Sequence, residues 1–112
     1  MGWPNALPKS DLVEVNPAEA RRLQREGAQL IDVREPDEWD GGHAPGASLV
    51  PLAQLARQIP QLPRDRNILF ICGTGRRSAL ATQMAQRMGL ARASNVRGGM
   101  VAWNRAGLPV RS

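Results

Sequence analysis

The chain has 112 residues and a mass of 12.2 kDa, enough for one compact domain burying roughly two-thirds of its unfolded surface and too little for two catalytic domains in tandem. Apolar residues at 42% and charged residues at 22% describe an ordinary globular protein and exclude a disordered, collagenous or membrane-embedded chain. The net charge of +5 raises nucleic acid as a partner, but Tyr is absent and Phe occurs once, so almost no stacking platform exists and no nucleic-acid partner is expected.

Residues 1–11, with Pro4 and Pro8, read as an irregular tail ahead of a domain over residues 12–112, and Trp3 has no assignable place. Met1 to Ser10 lacks a secretory pattern, and Ala6 stands where a myristoylation signal needs Ser or Thr. No apolar run reaches membrane-spanning length, so no membrane partner and a cytoplasmic location are expected. A short strand is expected around Leu12 to Val15. Asn16, Pro17 and Glu19 then have the order of N-cap, first and third helical residues, with Leu23 on the inner face and Gly27 as the stop, predicting a helix from Pro17 to about Glu26. Gln29 to Val33 reads as a strand that passes from core to loop at Asp32 and Arg34. Glu35 to Ala47, rich in Gly, Pro and acid, follows without a predicted element.

Asn67 to Ile71 holds a continuous apolar run from Ile68 on, as expected of a strand covered on both faces in a parallel sheet, and it ends abruptly at Cys72. After Cys72-Gly73-Thr74-Gly75-Arg76-Arg77-Ser78, the spacing of Leu80, Met84 and Met88, with alanines between them, predicts a helix up to Gly89. A strand near Ala93 to Val96 and a helix from Gly99 to about Ala106 complete an alternating α/β pattern.

Cys72 is the only cysteine and His43 the only histidine, so neither a disulfide framework nor a closed zinc site is expected, and no metal or cofactor is implied. The position of Cys72 carries more information: it lies at the carboxyl end of a buried parallel strand, just before a helix, where open α/β sheets bind ligands. Gly73 and Gly75 let successive amides turn toward the sulfur as an anion nest, and the helix dipole adds to the same field. Arg76 and Arg77 add positive charge, so the thiol pKa is expected to fall and populate the thiolate. The competing reading of Cys72 is a small buried hydrophobe at a strand end. Asp65 is the last acidic residue and eight arginines follow it, making the second half of the chain attractive to anions.

At Cys72 to Ser78 the sequence resembles the active loop of the rhodanese family. Leu30-Ile31-Asp32-Val33-Arg34 with Glu38, Trp39 and Gly42-His43, then Gly46-Ala47 and Pro51, is similar to the family's upstream signature. Val96-Arg97-Gly98-Gly99 with Trp103 and Gly107-Leu108-Pro109-Val110 forms a third match, and Ala44 and Leu49 are the departures. The resemblance implies a rhodanese-like α/β fold, a five-stranded, mainly parallel sheet flanked by helices on both faces. It also implies a sulfurtransferase that moves sulfane sulfur from thiosulfate or a related donor to cyanide or a thiol through a Cys72 persulfide. Cys72 is then the catalytic residue, and Gly73, Thr74, Gly75, Arg76, Arg77 and Ser78 bind substrate. A sulfur-relay protein is a possible further partner.

Two other classes remain. A phosphatase or arsenate reductase also uses a thiolate loop, but its Cys-x5-Arg spacing is one residue longer than Cys72 to Arg77. A non-catalytic interaction domain on the same scaffold is the second. The resemblance also implies that Arg77, at the family's recurrent arginine, braces the loop and that Arg76, at a variable position, faces solvent. His43 should hydrogen-bond backbone, Trp39 and Trp103 should lie in the core, and Arg34 is a candidate to pair with Glu38 at the surface.

Overall fold

Parallel strands cannot be joined by tight hairpins, so each return in this chain is made by a crossover that lays helices on the sheet. The computed structural model describes residues 12–112; the expected tail and Trp3 lie outside them. The elements in order are β1 (Glu14–Val15), α1 (Pro17–Arg25), β2 (Gln29–Asp32), α2 (Pro36–Asp40), β3 (Ser48–Leu49), α3 (Leu55–Gln58), β4 (Ile68–Ile71), α4 (Arg76–Arg87), β5 (Ala93–Val96) and α5 (Gly99–Arg105). The five strands pair in the order β1-β5-β4-β2-β3, every pair parallel.

β4 is central and buried throughout, and its two-residue alternation divides the core. Ile68 and Phe70 pack with Ile31, Val33, Leu55, Ile59 and the small residues of α4, whereas Leu69 and Ile71 pack with Leu30, Val96, Ala20, Met100 and Trp103. The chain leaves β2 toward β3 on one side and β4 toward β5 on the other, so a crevice opens between the carboxyl ends of β2 and β4. Asp32 and Cys72 stand at those two ends.

α1 has the predicted cap: the Asn16 side-chain oxygen accepts from the Glu19 amide at 2.8 Å, with Pro17 opening the helix. The Glu35 to Ala47 stretch is not all loop. Pro36 opens α2, and Glu35 and Glu38 form a reciprocal capping box, a signal legible in the sequence and unread there. α4 forms where its spacing predicts a helix. Ser78, Ala81, Thr82 and Ala85 are its buried residues, while Leu80 and Met88 are exposed, because small side chains let the helix axis approach β4 and β5 closely. Trp103 is fully buried as expected, its indole N–H donating to the Pro109 carbonyl at 2.8 Å. Trp39 is not a core residue: half-buried, it stacks on the His43 ring with centroids 3.5 Å apart. His43 does bond backbone, through Nδ1 to the Trp39 carbonyl at 3.0 Å and through its amide to the Arg111 carbonyl at 2.7 Å.

Candidate active site

Where β4 ends, the chain turns around the Cys72 sulfur. Gly75, at φ 98°, takes the left-handed conformation that favours glycine and serves as the N-cap of α4. Its amide donates to Cys72 Sγ at 3.1 Å, the Ser78 amide at 3.3 Å and the Ser78 hydroxyl at 3.2 Å. These donors come from one tight turn and the first turn of a helix, the arrangement that stabilises an anion. Cys72 itself is fully buried. Burial pushes the thiol up, but hydrogen bonds from the Ser78 hydroxyl and from the Ser78, Gly75 and Thr74 amides outweigh it and hold the thiol below its ordinary value of 9.0. Neutral donors are thus the leading cause of the fall, and the Arg77 charge also interacts favourably with Cys72.

The two arginines diverge. Arg77 turns away to Glu38 of α2 and forms a bidentate pair, at 2.7 and 2.9 Å, that ties the loop to the neighbouring crossover. Hydrogen bonds from Arg77 lower the Glu38 pKa from 4.5 to about 2 and raise that of Arg77. Arg76 is exposed and lines, with Thr74 and Gly75, a cleft of about 520 Å³. Arg34 does not pair with Glu38 at the surface. It is buried, its Nε lying 3.0 Å from both Asp32 carboxylate oxygens, while one terminal nitrogen reaches Oδ2 at 2.8 Å and the Gly42 carbonyl at 2.8 Å.

Sequence reading missed two supports. The Met100 and Val101 amides of α5 donate to the carbonyls of Cys72 and Gly73 at 2.7 and 3.0 Å, fixing the first peptides of the loop. That approach requires Gly99: a Cβ there collides with the Cys72 carbonyl oxygen and lies 2.7 Å from the Gly73 backbone. The Gly98-Gly99 pair was visible as a motif, but its target was not. The second is Asn95 of β5, whose side-chain amide donates to Glu14 at 2.8 Å and to the Gly75 carbonyl at 3.4 Å. A polar residue inside a fully buried strand was its only sequence signal.

The Rhodanese-like domain family model matches residues 16–106. A sulfurtransferase of Allochromatium vinosum is 34% identical, covering 80% of this chain and 84% of that protein. Thiosulfate sulfurtransferase GlpE of Vibrio cholerae is 31% identical, over 89% of this chain and 93% of that protein. The solved structure of a protein of unknown function from Rhodopseudomonas palustris, described as a possible tyrosine phosphatase, superposes with a TM-score of 0.82 at 30% identity, covering 98% of this chain and all of that one. With a family match that takes in both crossovers bordering the crevice and the whole of the Cys72 loop, this chain belongs to the rhodanese-like domain family.

Proposed function

We propose that the chain is a thiosulfate sulfurtransferase whose domain spans residues 12–112 and whose nucleophile is Cys72. The observation that carries the reading is the convergence of three donors on one buried sulfur. The thiolate attacks the outer sulfur of thiosulfate, the sulfur–sulfur bond of the donor breaks, and sulfite leaves with the bonding electron pair. Cyanide then attacks the outer sulfur of the Cys72 persulfide, releasing thiocyanate and returning the thiolate; a thiol acceptor follows the same course. Gly73, Thr74, Gly75 and Ser78 supply the anion cradle in both half-reactions, and Arg76 attracts the sulfonate end of the donor from its exposed position. Arg77 braces the loop through Glu38. No metal, cofactor or separate general base is called for, because the nucleophile is already ionised. Thiolate chemistry of this kind suits the reducing cytoplasm, and no helix among the described residues is long and apolar enough to cross a membrane.

A phosphatase reading is less well supported. Cys72 to Arg77 is one residue short of that loop, and the Arg77 guanidinium is engaged by Glu38 rather than aimed over the sulfur.

Incubation with thiosulfate should add one sulfur atom to Cys72, read by intact-mass spectrometry, and cyanide should remove it as thiocyanate. Cys72→Ser should abolish both half-reactions. Turnover surviving in that variant overturns the assignment, and a wild-type Cys72 that never loads favours an interaction domain instead.

A further inference from the structure

β5 is buried at every position, yet it carries a carboxamide on the face that packs under α4. Asn95 stands in register with Phe70 of β4 and with Glu14 of β1, so the three share one face of the sheet, and Cys72 follows two residues after Phe70 on the same side. Asn95 is 1% exposed. Its Nδ2 donates to the Glu14 carboxylate at 2.8 Å and to the Gly75 carbonyl at 3.4 Å, while its Oδ1 is buried with no hydrogen-bond partner among the described residues. The amide can face only this way, because the flipped group would set Oδ1 against two acceptors. An unpaired buried acceptor is a penalty that an apolar residue would not carry. The compensating contact is at Gly75. The Gly75 amide donates to Cys72 Sγ at 3.1 Å, and the Gly75 carbonyl, which also accepts from the Ala79 amide at 3.1 Å, is the group that Asn95 holds. Gly75 is left-handed and has no side chain to limit its backbone, so a partner for its carbonyl restricts where its amide points. It also lies against the end of β5, where a Cβ on Gly75 would come within 3.0 Å of the Gly98 nitrogen. Glu14, half-buried, is in turn paired with Arg97 at 3.5 Å.

We propose that Asn95, oriented by Glu14, is a positioning residue for Cys72, fixing the Gly75 peptide so that its amide stays on the sulfur. The inference rests on the reading of Cys72 as a thiolate nucleophile and deepens it with a relay from the edge strand β1 through β5 to the loop. Asn95 and Glu14 are not among the donors to the sulfur and act on it through Gly75. Two other accounts of the pair make different forecasts. If Glu14 acted on Cys72 by charge alone, removing the carboxylate would take a negative charge from the neighbourhood of a thiolate and make that thiolate easier to form. The relay gives the opposite sign, because Asn95 loses its anchor and Gly75 its constraint. If Asn95 served only the stability of the sheet, replacing it would lower stability and leave the thiol's ionisation where it is.

The test follows alkylation of Cys72, the only thiol, by iodoacetamide as a function of pH in the full chain. Glu14→Ala should move the profile to higher pH and slow alkylation at neutral pH by about threefold, whereas Glu14→Gln, which keeps an acceptor for Nδ2 without the charge, should return the rate to within about 1.5-fold of wild type. Asn95→Leu removes the relay together with the unpaired acceptor, so alkylation should slow by about fivefold while the urea midpoint holds or rises. Arg76 and the pairs Arg77–Glu38 and Asp32–Arg34, the other charged groups around these strand ends, are left in place by all three substitutions. A Glu14→Ala profile that moves to lower pH, or profiles that coincide for Glu14→Ala and Glu14→Gln, overturns the proposal. So does an unmoved profile in Asn95→Leu, which together with a lowered urea midpoint marks a purely structural amide. Should Asn95→Leu fail to fold, the two substitutions at Glu14, on the edge strand, decide the matter. Alkylation needs no sulfur donor, which keeps the two readings apart. If the profiles move as expected in a protein that never loads sulfur from thiosulfate, the relay stands and the sulfurtransferase reading fails; if wild type loads sulfur and the profiles do not move, the relay fails alone.

Discussion

Two acidic side chains sit at the carboxyl ends of adjacent strands, and they are held by opposite means. Asp32, at the end of β2, is buried against the Arg34 guanidinium, with contacts of 2.8 to 3.0 Å and a further bond from Arg34 to the Gly42 carbonyl. Cys72, at the end of β4, is held by neutral amides and a hydroxyl, and Arg77 of its loop is turned to Glu38. A carboxylate in direct contact with a counter-ion is neutralised and serves the structure. A sulfur held by neutral donors is stabilised as thiolate without a counter-ion in direct contact, the arrangement that suits a nucleophile. On the proposed function, neighbouring positions in one sheet serve as brace and reaction centre.

The largest test of that contrast breaks the brace. Asp32→Ala strands a buried guanidinium and should cost about 3–5 kcal/mol, read as a fall in the urea midpoint. Cys72→Ser should shift that midpoint far less while removing all sulfur transfer, and comparable losses of stability in the two variants would erase the distinction.

Next in size, Ser78→Ala removes one donor to the sulfur while leaving its amide in place. The Cys72 pKa should rise, and alkylation by iodoacetamide at neutral pH should slow by up to about tenfold, with the pH profile moving upward. A flat response assigns the depressed pKa to the backbone alone. Arg76→Glu reverses an exposed charge at the cleft and should raise the Michaelis constant for thiosulfate several-fold, about 1 kcal/mol, with less effect on turnover. The effect should fade as salt rises, and kinetics unchanged at low salt remove Arg76 from donor recruitment.

The smallest effect concerns the pair that ties the loop to α2. Its side chains are 39% and 34% exposed, so Glu38→Gln should cost at most about 1 kcal/mol. Because the folded-state pKa of Glu38 is lowered from 4.5 to about 2, the stabilisation is fully present above pH 4.5 and is lost as pH falls toward 2. Wild type and Glu38→Gln should therefore converge in thermal midpoint at the acid end of that range, and a difference that persists there places the effect outside the ion pair.

Much of this molecule is legible before folding because the relevant signals are local. Asn16-Pro17 caps its helix through a bond to Glu19 three residues on. The run at Ile68 to Ile71 is apolar at every position because both faces of β4 are covered, and Gly73 and Gly75 announce a turn beside a lone cysteine. The capping box of α2 is equally local, at Glu35 and Glu38, and was obscured only by the surrounding Gly and Pro. For α4 the helix itself was legible, but its inward face was not. Helical spacing reveals that an apolar stripe exists but not whether the stripe or the small residues beside it meet the sheet, and the close approach to β4 and β5 selected the small ones.

By itself the sequence determined β1, β2, β4 and β5, the helices α1, α4 and α5, the cap of α1, and a cysteine loop able to aim amides at sulfur, since each depends on residues within about one helical turn, whereas the two-residue β3 and the short α2 and α3 were not read from it. Tertiary structure alone decided the strand order β1-β5-β4-β2-β3, and with it the partners that chain distance conceals. Glu38 meets Arg77 across 39 residues, Asn95 reaches Gly75 across 20, and Gly99 lies against the Cys72 carbonyl. Parallel crossovers bring such residues together only once the sheet has formed, so their pairing is a property of the topology and not of any local pattern.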